Sequence, residues 1–202
     1  VALKVGIDKI AEMGRRLGLG VRHDLPMSAI TEGNMPDKAW KLERHQAEWR
    51  IGDTINASIG QGYVLASPLQ LAVMTARIAS GRAIAPRLVR MVNDKELPAV
   101  EAPPLDVPPD YLAAVRRGMN AVVNGDHGTG KSSRVVDPAM TFAGKSGTSQ
   151  VRNISKAERE SGVISNDDLP WSRRDHALFV GFAPYDAPRY AVAVVVEHGG
   201  GG

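Results

Sequence analysis

Lys145-Ser146-Gly147-Thr148 sets an ammonium, two hydroxyls and a glycine in four consecutive residues. In an extended strand successive side chains alternate, so Ser146 and Thr148 share one face and Lys145 nominally takes the other. Two hydroxyls beside an ammonium make a clamp for a carboxylate. A glycine inside a strand weakens it and marks close approach of a ligand or another backbone. At a sheet edge, the free N–H groups of such a strand can pair with an extended peptide. Lys145 joins the clamp either by reaching round the strand edge or through a bulge at Gly147, and the spacing leaves both routes open. The bland alternative is an exposed edge-strand lysine next to two hydroxyls.

A second stretch, Gly125-Asp126-His127-Gly128-Thr129-Gly130-Lys131-Ser132, matches the phosphate-loop pattern letter for letter. The apolar run Val192–Val196 ending in Glu197 even imitates the acidic strand that accompanies it. Phosphate binding needs a buried strand feeding the loop and a helix starting at the Lys-Ser pair. Here a helical pattern feeds the loop, and Pro138 would interrupt a helix begun at Lys131. The stretch therefore reads as a glycine-rich link from helix to strand, with nucleotide binding kept only as an alternative.

Other residues carry less chemistry. The chain has no cysteine, which excludes a thiol nucleophile, a zinc–cysteine site and a disulfide framework. His23, His45, His127, His176 and His198 show no metal-ligand spacing, so no metal and no cofactor is expected. A net charge of +3, dispersed along the chain, argues against a nucleic-acid partner. The pairs Arg15-Arg16, Arg116-Arg117 and Arg173-Arg174 read as solvated faces. Apolar residues reach 43%, enough for a core, yet no apolar run approaches the roughly 18–20 residues of a membrane span.

The elements that must position the clamp follow from periodicity and caps. Val5, Ile7, Ile10, Met13 and Leu17 predict an amphipathic helix stopped by Gly18 and Gly20. From about 21 to 56 periodicity fades and a long loop is expected, with Trp40 and Trp49 as anchors. Ser67 at N-cap and Pro68 at the first helical position predict a helix running to Gly81. Gly60 and Gly62 permit a tight turn just before it. The proline-rich stretch 93–109 reads as a surface connection, and Asp110 as the cap of a third helix ending near Asn124-Gly125. From Ala139 the pattern turns strand-like. One strand is expected over 139–151, a second over 177–182 and a third over 190–197, the last two as an antiparallel hairpin. The fold class is α+β: a mainly helical part over 1–138, then sheet strands over 139–198 with a polar insertion at 152–175. That insertion is either a mobile loop over the cleft or an ordinary long loop.

Lys145-Ser146-Gly147-Thr148 resembles the third signature motif of penicillin-binding proteins and serine β-lactamases. Three further stretches are similar to class B penicillin-binding proteins, the first of them to the elongation type. They are Gly33-Asn34-Met35-Pro36 with Trp40-Lys41, Gly60–Tyr63 with Ala66–Ala72, and Phe179–Pro184. The resemblance implies part of a D,D-transpeptidase that cross-links peptidoglycan stem peptides through a serine acyl-enzyme and binds β-lactams. It implies Lys145 and Thr148 as catalytic residues, Lys145 in electrostatics and proton transfer and the Thr148 N–H as half of the oxyanion hole. Ser146, Gly147, Thr148, Ser149 and Gln150 are the implied substrate-binding residues, with the hydroxyls on the terminal carboxylate of D-Ala-D-Ala. Implied partners are the stem peptide, β-lactams and the cell-elongation machinery with its glycosyltransferase. The implied location is the periplasmic face of a bacterial inner membrane, to which an N-terminal segment outside this chain would anchor the parent.

The family's nucleophile lies in S-x-x-K. Ser28, Ser58, Ser67, Ser80, Ser132 and Ser133 are followed at that spacing by Thr31, Gln61, Gln70, Ala83, Val135 and Val136, and none is a lysine. None of these serines starts the second S-x-N or S-x-D motif either. The nucleophile and second motif are therefore expected upstream of Val1, and the 202 residues alone are expected to be inactive. A noncatalytic interaction module on the same fold is the remaining alternative.

Overall fold

The computed structural model describes residues 1–202, with side chains at all but Lys156 and Arg159. It divides into two compact units, Val1–Arg116 and Arg117–Gly202.

In the first unit Gly6, at φ +83°, splits the expected opening helix into α1 (Ala2–Val5) and α2 (Ile7–Arg16). Ile7 and Ala11 bury the inner face of α2. The stretch expected as a long loop holds two eight-residue helices, α3 (Lys38–His45) and α4 (Ile51–Ser58). Their apolar residues Leu42, Ile51 and Ile55 are exposed, so no buried stripe registers as periodicity. Caps nucleate them instead. The Asp37 carboxylate accepts from the Trp40 N–H (2.8 Å) and the Asp53 carboxylate from the Arg50 N–H (2.7 Å). Trp40 and Trp49 are anchors as expected. Trp40 packs on Tyr63 with ring centroids 5.3 Å apart, and the Trp49 indole N–H donates to Thr54 Oγ1 at 2.8 Å.

Helix α5 (Pro68–Ser80) keeps the bounds the sequence predicts, with Ser67 capping the Gln70 N–H and Gly81 ending it at φ +71°. Gln70 is fully buried, and its amide donates to the Val21 and Glu32 carbonyls, tying the preceding loop to the helix. Within the proline-rich connection, β1 (Met91–Val92) and β2 (Lys95–Glu96) form a small hairpin turning at Asn93 and Asp94. The next helix, α6 (Pro109–Asn124), starts one residue before the expected cap, and Asp110 sits in its first turn. Proline at the first helical position forfeits no hydrogen bond, because that N–H has no intrahelical partner.

The second unit carries an antiparallel sheet in the order β3 (Ala143–Ser149), β4 (His176–Ala183), β5 (Tyr190–Val196). The first strand starts later than expected. Pro138–Met140 form a 3-10 turn instead, capped by Asp137 accepting from the Ala139 N–H at 2.9 Å. Val123, Ala143 and Phe182 are its most buried apolar side chains. Helices followed by an antiparallel sheet make the fold α+β. Among the described residues no helix is long and apolar enough to cross a membrane.

The insertion contains α7 (Lys156–Ser161) and two 3-10 turns. Arg152 forks onto Glu158 through two bonds of 2.7 and 2.6 Å. This hydrogen bonding, with the Ile164 and Ser155 contacts, drops the Glu158 carboxyl to about 2. At the base, Asp175 accepts from the Val151 N–H at 3.2 Å, and its own N–H donates to Asn166 Oδ1 at 2.9 Å.

Candidate active-site strand

β3 is an edge strand. β4 pairs one side of it, and no described strand pairs the other. The ladder runs one-for-one from Ala143↔Phe182 to Ser149↔His176, with no extra residue at Gly147. Of the two routes open to Lys145, the bulge is thereby excluded. The ammonium reaches round the strand instead, donating to the Ser146 carbonyl at 2.6 Å and lying 3.5 Å from Ser146 Oγ. Ser146 and Thr148 share the face that also carries Phe179 and Ala177, their partners in register. Thr148 Oγ1 accepts from the Gly202 N–H at 3.2 Å. Ser149 ends the strand opposite His176, and Gln150 follows it, exposed.

The two glycines of β3 have different causes. A Cβ on Gly144 would run into the Phe179 ring and stand 2.6 Å from the Val180 carbonyl oxygen. A Cβ on Gly147 would meet only Leu178, at an ordinary 3.7 Å. Packing demands the first glycine and leaves the second open on its outer side. Gly144→Ala is expected to destabilise the protein by about 1–3 kcal/mol through overpacking. Gly147→Ala is expected to shift stability by less than about 1 kcal/mol in either direction. Thermal unfolding of both variants checks the contrast, and equal losses would refute it.

The glycine-rich stretch Gly125–Ser132 lies outside the strand–loop–helix setting that phosphate binding needs. The N–H groups of Gly125, Gly128, Gly130 and Lys131 are already used, donating to Ala121 O (3.0 Å), Gly125 O (3.2 Å), Val122 O (2.9 Å) and Gly128 O (3.2 Å). Helix α6 feeds it, and Lys131–Ser133 are a single 3-10 turn rather than a helix start. The Lys131 ammonium turns back to the Asp126 carbonyl at 3.2 Å. The glycines serve close packing on the end of α6, where a Cβ on Gly128 would strike the Val122 carbonyl oxygen.

That packing brings a residue the motif reading passed over to the clamp. Thr129 Oγ1 lies 3.1 Å from Ser146 Oγ. Ala121, Val122, His127, Gly128, Thr129 and Lys145 line an open cleft of about 440 Å³ beside β3. The only sequence signal for Thr129 was its place between two glycines, which allow its backbone to lie close against a neighbour.

A helix-fed loop, an edge strand bearing K-S-G-T and a hairpin behind it agree with what comparison with known proteins finds. The sequence matches the penicillin-binding protein transpeptidase domain over residues 1–202. Peptidoglycan D,D-transpeptidase MrdA of Haemophilus influenzae is 36% identical over all of this chain, which spans 31% of that protein. Among solved structures, penicillin-binding protein 2 (PBP2) of Pseudomonas aeruginosa has a TM-score of 0.80 at 37% identity, covering 98% of this chain and 41% of its own. PBP2 of Helicobacter pylori, in its complex with MreC, has a TM-score of 0.82 at 33% identity, covering 100% of this chain and 34% of its own. The chain thus spans about a third of the length of the curated relatives it matches. Over that span, in sequence and in fold, it belongs to the penicillin-binding protein transpeptidase domain family.

Proposed function

We propose that this chain is the donor-binding part of a peptidoglycan D,D-transpeptidase of the PBP2 type. The observation that carries the reading is the free edge of β3, with the Lys145 ammonium folded onto Ser146 and the Ser146 and Thr148 hydroxyls on one face. An extended D-Ala-D-Ala terminus would lie along that edge. The two hydroxyls would bind its carboxylate, and Gly147 leaves the peptide room to approach. A serine outside these 202 residues attacks the penultimate carbonyl, and D-Ala leaves as the acyl-enzyme forms. The Thr148 N–H holds the oxyanion together with the N–H of the nucleophile. An acceptor amine from a second stem peptide then takes the acyl group and releases the serine. A β-lactam enters by the same carboxylate contacts and stalls at the acyl stage. In this role the parent protein works at the periplasmic face of the inner membrane. Its expected partners are the elongation machinery, a MreC-like protein as in the Helicobacter pylori complex, and a glycosyltransferase.

Covalent labelling by a fluorescent penicillin tests the reading. The full-length protein should label and the isolated 202 residues should not. Labelling of the isolated chain would place a nucleophile within it and overturn this division of labour. In the full-length protein Thr148→Ala should slow acylation about ten- to a hundredfold, the worth of a hydrogen bond to a charged group. An unchanged rate would remove Thr148 from the clamp.

A further inference from the structure

We propose that Thr129 is a positioning residue that turns the Ser146 hydroxyl into a dedicated donor toward the open edge of β3. The proposal rests on the reading of β3 as the donor-binding strand. A serine hydroxyl has one proton and two lone pairs, and left alone it rotates among them. To hold a carboxylate, Ser146 must offer its proton outward. Among the described residues two groups reach its oxygen: Thr129 Oγ1 at 3.1 Å and Lys145 Nζ at 3.5 Å. An ammonium has no lone pair, so Lys145 can only donate. Either hydroxyl of the Thr129–Ser146 pair can donate; when Thr129 does, both lone pairs of Ser146 are engaged and its proton is left without an acceptor among the described residues. The incoming carboxylate then meets a preset donor and spends no free energy on reorienting it.

Thr129 can do this because its backbone is fixed. The Gly130 N–H is bonded to Val122 O at 2.9 Å, and the Gly128 N–H to Gly125 O at 3.2 Å, so both neighbours of Thr129 are tied to the end of α6. The close packing of Gly128 on the Val122 carbonyl leaves no slack on that side. Thr129 also lines the cleft beside Lys145 and so stands at the wall of the site.

A double-mutant cycle on the full-length protein tests the proposal, reading the second-order rate of acylation by a fluorescent penicillin. Thr129→Val keeps the shape of the side chain and removes the hydroxyl. It should slow acylation about three- to tenfold, the worth of one neutral hydrogen bond. Thr129→Ser should return the rate to within about twofold of wild type, since the bond is kept. In a Ser146→Ala background, Thr129→Val should cause no further loss. Thr129→Ala, which makes no demand on packing, repeats the test should the valine variant fold poorly. A wild-type rate in Thr129→Val and Thr129→Ala, or a loss of equal size with and without the Ser146 hydroxyl, would overturn the proposal. Absence of labelling in the wild-type protein would instead overturn the donor-strand reading, and this inference with it.

Discussion

Replacing Lys145 by glutamine in the full-length protein is expected to slow acylation by a fluorescent penicillin by about 10²–10⁴-fold, the usual contribution of a positioned proton-transfer group. The geometry makes the side chain separable from the fold. Lys145 is exposed, the ladder under it is regular, and among the described residues its hydrogen-bond acceptors are the Ser146 carbonyl and hydroxyl. Glutamine, one bond shorter, keeps an amide donor at this exposed position, and the regular ladder beneath it gives the backbone no reason to rearrange. What disappears is the charge and the transferable proton. The melting temperature should therefore hold while the acylation rate falls, and a slow residual rate should persist from the oxyanion donors. A loss of less than about tenfold would make the ammonium a spectator rather than a participant.

The largest stability effect is expected at Lys41. Its side chain is 6% exposed, and the ammonium sits 2.5 Å from Oδ2 of Asp53, whose side chain is 18% exposed. The Trp49 and Tyr63 rings lie 5.9 and 5.8 Å from it, so it also gains from their faces. Lys41→Met keeps the length of the stem but leaves Asp53 with the Arg50 N–H as its remaining short contact. Breaking one side of a buried pair costs about 3–5 kcal/mol, and the partial exposure of Asp53 favours the lower end. Urea unfolding reads the loss. The pH dependence supplies a second check. Burial pushes the Asp53 carboxyl up, but the Lys41 bond, the Arg50 N–H and the two cations outweigh it and hold the group below its ordinary range. A carboxyl lowered on folding contributes stability that is fully present above its unfolded pKa, about 3.9, and is lost as pH falls through the folded value. The gap between wild type and Lys41→Met should therefore narrow below about pH 4. A gap of constant size down to pH 3 would show that the pair is not its source.

Legibility in the sequence followed the scale of the signal. Helix α5 was readable to the residue because its start and stop are covalent facts, Ser67-Pro68 and Gly81. Strands β4 and β5 were readable because their runs are long and their link is short. Helices α3 and α4 were not, since two turns with exposed apolar residues leave no stripe to detect, and their caps are single aspartates. Gly6 looked like one more residue of a helix until its φ of +83° made it a break. For the site, alternation alone put Ser146 and Thr148 on one face. It left the path of Lys145 open, because a side chain that doubles round an edge breaks no pattern. Thr129 was hidden for a different reason. Its partner is seventeen residues away, and only the folded link from α6 to β3 makes them neighbours.

The notch that Gly144 leaves beneath Phe179 does more than permit packing. Sliding β3 by two residues along β4 would keep every side chain on its proper face, so alternation alone does not forbid it. It would, however, bring Phe142 or Ser146 to the place where even a Cβ collides with the ring. The notch thus works as an index mark that admits one setting of the strand. The insertion between β3 and β4 is consequently free to lengthen, shorten or change sequence without shifting the clamp, whose alignment is set within the sheet itself.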